Sequence, residues 1–311
     1  MRQTARVEVA RHLNHPCSWR PSFPVVLRDF GAHHLLKPCG LQMTTYSTAR
    51  LIGGIDETLE VAADCSEALQ VRAGTVLVEI LPRNVRSGME ASGLSFASKQ
   101  EIFSSEMLIT LSEALKIIFS RSARLASSVG ALAFRLHFLS VEDDDYDCSC
   151  SFPELPFSIF ISCPRGKRPD GALRVAESII HETMHLQLSL VERVLPLVQD
   201  DAVKELYSPW KNEKRHPRGI LHGLYVFAVI YRFWASISVH KSGFFKQFAL
   251  TRCKEIGDQL YSIKGIQTCE DLTAEGRRFV GGIFEQVLID DEELAGHAPF
   301  RLPVQRANEV R

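Results

Sequence analysis

His181 and His185 bracket an acid in the stretch His181-Glu182-Thr183-Met184-His185. On a helix, residues four apart lie on one face, one turn apart, so the two imidazoles can hold a single divalent ion. Glu182 then stands beside the ion without being forced to bind it. Imidazole suits both zinc and iron, so ligand type alone does not choose the metal. The competing reading is a pair of histidines satisfied by ordinary hydrogen bonds. An apolar helix is a costly place for such a group without partners, which favours the metal.

The flanking sequence supplies the helix. Ala172 to Val194 runs without Gly or Pro until Pro196, and Val175, Ile179, Leu186 and Leu190 recur at helical spacing. Asp170 and Gly171 are both candidate N-caps. Upstream, Pro156–Ser162 alternates apolar residues and reads as a strand, followed by a basic loop with Arg165, Lys167 and Arg168. A strand, a loop and then the motif helix would set the site at a sheet edge.

Two histidines do not complete a metal site, because three protein ligands are the usual minimum when one position stays open. The extended pattern H-E-x-x-H-x-x-G-x-x-H fails, since Leu188 and Val191 occupy the required Gly and His positions. Glu205 follows His185 by twenty residues but sits where a helix is expected to end, and is the lesser candidate. His222 is better placed, in the first turn of an apolar helix over Ile220–Trp234. Two antiparallel helices joined by a loop would bring it opposite the pair.

The remainder of the chain reads as follows. Of 311 residues, 45% are hydrophobic, and 36 Lys and Arg balance 37 Asp and Glu for a net charge of -1. This is globular composition and argues against nucleic acid as a partner. The amino terminus has no apolar signal region, and no stretch reads as a membrane span, which predicts a cytoplasmic protein with no membrane partner. The eight cysteines are scattered, and Cys148-Ser149-Cys150 is not a C-x-x-C, so free thiols are expected. Residues 1–48, interrupted by Pro16, Pro21, Pro24 and Pro38, read as an irregular arm whose His33 and His34 point apart. Residues 49–298 read as one catalytic domain and 299–311 as a fraying tail.

Within that domain, residues 49–66 are expected to be helical, and Thr75–Leu81 either strand or buried helix. A helix opens at Ser104 and runs to about Leu125, with Gly130 as its breaker. Ala131–Leu139 reads as a strand that packs His137. The acidic run Glu142–Asp147 reads as a solvated loop, or as a contact for a basic peptide. Residues 243–264 and 270–292 read as further helices.

The residues His181-Glu182-Thr183-Met184-His185, followed by Ser208-Pro209-Trp210-Lys211, Arg215, Gly219 and Leu221-His222-Gly223, resemble the 2-oxoglutarate-dependent H-E-x-x-H peptide β-hydroxylases, which modify ribosomally made precursor peptides. The resemblance covers about residues 155–235. Lys211 stands where the family usually has Arg, and His216 where it often has Pro. The resemblance implies an Fe(II) centre on His181, His185 and His222, with 2-oxoglutarate chelating the iron and O₂ as co-substrate. It implies that Glu182 orients a metal-bound ligand or carries a proton, unless it is itself a ligand. The distal carboxylate of 2-oxoglutarate needs a cation. Arg215 is the first candidate and Arg218 the second. Lys211 keeps the charge but lacks the bidentate fork of arginine. Trp210 either walls the pocket or belongs to the core.

The expectation is therefore an α+β fold, predominantly helical with a small sheet, and a metal site between two helices. The expected activity is non-haem Fe(II)/2-oxoglutarate-dependent hydroxylation of a peptide side chain at the β-carbon. The alternative is a zinc-dependent H-E-x-x-H metallopeptidase with Glu182 as general base and Zn(II) in place of iron.

Overall fold

The computed structural model describes residues 2–32, 61–65, 68–73, 76–81, 83–102, 104–152, 157–203 and 205–295. They form an α+β fold, mostly helical with a small mixed sheet, as expected. The chain divides into two compact units, one of Met1–Glu8 and Arg20–Val194, the other of Val9–Trp19 and Leu195–Arg311.

The first unit carries a six-stranded sheet of β1 (Val61–Cys65), β2 (Ala68–Ala73), β3 (Val76–Glu79), β4 (Arg135–Leu139), β5 (Ser149–Cys150) and β6 (Ser158–Ser162). Their order is β1-β2-β3-β4-β6-β5. The centre is parallel: Leu136 pairs with Ile159 and Phe138 with Ile161. Apart from half-buried Arg135, every residue of β4 and β6 is buried, as befits strands covered on both faces. β5 runs antiparallel to β6 at the edge.

The helices of this unit are α2 (Phe23–Gly31), α3 (Arg83–Ala91), the single turn α4 (Lys99–Ile102), α5 (Ser105–Arg121), α6 (Ala123–Leu132) and α7 (Gly171–Val194). α7 carries the motif and packs on α5, α6, β6 and β5. α2 crosses α7 at Gly31, where a Cβ would fall 2.8 Å from the Leu190 side chain. Ser128 Oγ donates to the buried Gln187 Oε1 at 2.8 Å, tying α6 to α7 two residues beyond the motif. His137 is a packed strand residue, as expected. It stacks on Phe160 with centroids 4.6 Å apart, and its Nδ1 lies 3.0 Å from the Glu79 carbonyl, which makes Nδ1 the donor. Arg135 Nη1 donates to both Glu79 carboxylate oxygens at 2.8 Å.

The second unit is built on α8 (Pro217–His240), with α9 (Gly243–Ser262), a 3₁₀ turn (Lys264–Thr268) and α10 (Ala274–Ala295). A hairpin of β7 (Leu206–Ser208) and β8 (Glu213–Arg215) sits on α8. Trp234, Tyr225, Tyr231 and Phe279 are its largest enclosed side chains. The end of α1 (Arg2–His12) joins this core, with His12 edge-on to Trp19, Tyr225 and Phe279 at 5.8–6.1 Å. α8 has a window of mean hydropathy 1.5, long and apolar enough to cross a membrane, but 78% of it is buried inside the protein. It is the one such helix among the described residues.

Several boundaries differ from expectation. Residues 2–32 are not irregular: they form α1 and α2, and Pro24 lies in the first turn of α2, where no backbone N–H is needed. Residues 61–65, expected to be helical, are strand β1. Pairing with β2 overrides the helical preference of an alanine-containing segment. The helix from Ser104 ends at Arg121 rather than near Leu125. Ser122 turns extended and its Oγ accepts from Leu125 N, so α6 starts there and continues through Gly130. The strand expected over 131–139 accordingly begins only at Arg135. His222 lies in the second turn of α8, because Pro217 begins the helix. The expectations for His33, His34, residues 49–60 and the tail fall outside the described residues.

Candidate metal centre

The motif histidines converge. Nε2 of His185 lies 3.1 Å from Nε2 of His181, with ring centroids 4.8 Å apart and planes inclined at 63°. Two nitrogens bound at about 2.0–2.1 Å to one tetrahedral or octahedral ion would be separated by roughly 2.8–3.4 Å. The pair therefore has the span of two ligands on a common ion. Both rings are half-buried on a helix most of whose residues are buried.

Glu182 is held apart from this pair. Its side chain is 3% exposed, and Oε1 lies 3.9 Å from His181 Nε2. Ser149 Oγ donates to Oε1 at 2.7 Å and Ser151 Oγ to Oε2 at 2.8 Å. Both serines come from the edge strand and its extension. Side chains alternate along an extended chain, so Ser149 and Ser151 share one face. Cys148, Cys150 and Phe152 take the other and pack on Leu81, Leu139 and Phe160. Burial, with the Glu182 charge next, pushes the Cys150 thiol up to about 12, so it stays protonated.

The acidic run fixes this edge strand. Arg174, on α7, donates from Nε to both oxygens of Asp147 at 3.1 and 3.0 Å and from Nη2 to the Asp144 carbonyl at 2.8 Å. Arg165 pairs with Asp144 at 3.0 Å and Arg168 with Asp145 at 2.6 Å. Asp144 is held below its usual range: desolvation raises it, but the hydrogen bonds from Arg165 and the charges of Arg165 and Arg168 together outweigh that and favour the carboxylate. The loop over 142–147 is solvated, as expected, with all but Asp144 exposed, and it is in addition paired to Arg165, Arg168 and Arg174. Cys148 N and Ser162 Oγ, and Ser162 N and Cys148 O, lock β5 onto β6 at 2.9 and 2.7 Å.

The other candidates belong to the second unit. Among the described residues no group of three or more His, Cys, Asp or Glu side chains is arranged to hold a metal ion. The structure thus brings together His181 and His185, with Glu182 beside them, and does not itself show the three-histidine set or a site between two helices. His222 is half-buried on α8. Glu205 is exposed and immediately precedes strand β7, not a helix end. Lys211, Arg215 and Arg218 are exposed. Arg215 lies over Gly219 and 3.5 Å from Glu213, and the Arg218 N–H is accepted by His216 Nδ1 at 3.2 Å. His216 Nε2 donates in turn to the Ala202 carbonyl at 3.1 Å. His216 is therefore the N-cap of α8.

Trp210 anchors the hairpin. Its ring stacks on Phe227 at 4.9 Å with planes 6° apart, and a Cβ on Gly223 would fall 2.6 Å from Cε3. The Trp and the His-Gly of the second motif are thus joined by packing: only glycine next to His222 admits the indole. Gly223→Ala is expected to destabilise the second unit by about 1–3 kcal/mol through overpacking, read as a lower urea midpoint. The nearest indole atoms all belong to the benzo ring. Adding Trp210→Phe should therefore recover part of that loss, a non-additivity visible in a double-mutant cycle.

Comparison with known proteins found no matching family model and no curated protein with significant similarity.

Proposed function

We propose that the protein is a cytoplasmic, metal-dependent oxygenase that uses 2-oxoglutarate to hydroxylate a peptide side chain at the β-carbon, on a ribosomally made precursor. The observation that carries the metal reading is the 3.1 Å convergence of His181 and His185. The choice of oxygenase over peptidase rests on the sequence block from Ser208 to Gly223.

Iron would be held by His181 and His185, with His222 as the third ligand, and would supply the reaction with O₂. Glu182, held by two serine hydroxyls, orients a group next to the metal. Arg215, then Arg218 and Lys211, are the cations offered to the distal carboxylate of 2-oxoglutarate, and Trp210 seats the hairpin that carries Lys211 and Arg215. The balanced reaction consumes peptide, O₂ and 2-oxoglutarate and yields hydroxylated peptide, succinate and CO₂.

The test is anaerobic visible absorption of apo-protein titrated with Fe(II) and then 2-oxoglutarate. A charge-transfer band that needs both and is lost in His222→Ala is the expected result. Tight stoichiometric zinc with no such band, and peptide hydrolysis without O₂ that disappears in Glu182→Gln, would establish the zinc peptidase instead.

A further inference from the structure

The C-S-C-S-F alternation after the acidic run places two hydroxyls on one carboxylate, and nothing in the motif itself calls for them. We propose that Ser149 and Ser151 are positioning residues that keep the Glu182 carboxylate off the metal and so hold the centre to its histidine ligands. The inference rests on the metal reading of His181 and His185.

The geometry supports a clamp with a defined direction. Glu182 stands one residue from His181, with Oε1 3.9 Å from the nitrogen that would bind the ion. The motif does not force a carboxylate there to bind the ion, but one that nothing else holds is free to turn into the coordination shell of a dication. Here each oxygen already accepts a short hydroxyl bond, at 2.7 and 2.8 Å, in a setting where the side chain is only 3% exposed. Hydrogen bonds to a charged acceptor are about twice as strong as neutral ones. The donors are themselves fixed. Cys148 and Cys150 bury the opposite face of the strand, and Arg174 grips Asp147 two residues before Ser149. Loss of either serine alone leaves one oxygen still held, so the effect should require loss of both.

The experiment uses the full chain with Co(II) as probe, read by visible absorption and titration. In Ser149→Ala/Ser151→Ala the released carboxylate becomes a ligand. The d–d band weakens as coordination number rises, and Co(II) affinity changes by about tenfold, the scale on which groups around metal ligands act. Adding Glu182→Gln to that variant should restore the wild-type band, and Ser149→Thr/Ser151→Thr should never lose it. A merely structural role for the serines would not produce a loss that a third substitution reverses.

A double variant that binds Co(II) with the wild-type band and affinity overturns the clamp while leaving the metal reading intact. Wild-type protein that binds no Co(II) overturns both. If the double variant does not fold, Glu182→Gln alone decides: an unchanged band supports a carboxylate held off the metal, and an altered band overturns it.

Discussion

His185→Ala is expected to weaken divalent-metal binding at least about 100-fold, since even groups that only support metal ligands are worth 10–100-fold. His181→Ala should do the same. The reasoning is geometric. The two Nε2 atoms lie 3.1 Å apart on one helix face, so removing either leaves a single nitrogen on that helix and breaks the chelate the pair would form. His240→Ala is the matched control. It is exposed at the end of α8, and its Nδ1 contacts its own helix's Ser236 carbonyl at 2.7 Å. The effect also appears in stability. At a metal concentration about 100 times the wild-type Kd, binding to the native state alone adds roughly 2.7 kcal/mol, and a variant weakened 100-fold gains only about 0.4 kcal/mol. For a unit of this size that is about 5–10 °C of metal-induced rise in Tm, present in wild type and in His240→Ala and nearly absent in the two ligand variants. Equal stabilisation of all four proteins would remove His181 and His185 from the metal site.

The motif helix and the central strands were legible because each follows one period. Val175, Ile179, Leu186 and Leu190 mark α7, and the apolar stretches over 135–139 and 158–162 mark β4 and β6. Prolines misled at two places for one reason. Pro24 and Pro217 lie in the first turns of helices, where the missing N–H costs nothing; Pro24 reads as an interruption, which hid α2, and Pro217 starts α8 ahead of the expected Ile220, which moves His222 into the second turn. The clamp on Glu182 was not legible. Its partners lie 33 and 31 residues away, and the cysteines drew attention to the face of the strand that turned out to be core. A signal was present: serines two residues apart in an extended segment must share a face. The acidic run likewise found partners in Arg165, Arg168 and Arg174 that local charge counting does not reveal. The division after Val194 depends on which helices pack together, and no composition shift in the chain announces it.

Acid should destabilise both units through one buried histidine in each. Burial lowers His12 to about 3, and His137 is lowered to about 4, first by burial and against the opposing influence of Glu79. A histidine whose folded pKa lies below its unfolded value contributes stability that is complete above about pH 6.5 and is lost as the unfolded chain takes up a proton that the native state refuses. The loss starts near pH 6.5 and continues to about 4 for His137 and about 3 for His12. At pH 5 each site is about 1.5 pH units below the unfolded pKa, so each costs roughly 2 kcal/mol at 1.36 kcal/mol per unit. The Arg135–Glu79 pair beside His137 does not rescue it, because both Glu79 oxygens already accept from Arg135 at 2.8 Å. His12→Phe and His137→Phe remove the titrating group at the expense of polar contacts such as the His137 Nδ1 bond, so both variants start less stable at neutral pH. What identifies them is the slope. Between pH 6.5 and 5 the urea-derived stability of the unit carrying the substitution should fall with about one proton less dependence than in wild type, His12→Phe in the second unit and His137→Phe in the first. A slope unchanged from wild type in either variant would mean that the histidine is protonated in the folded protein and that the burial seen here does not keep it neutral.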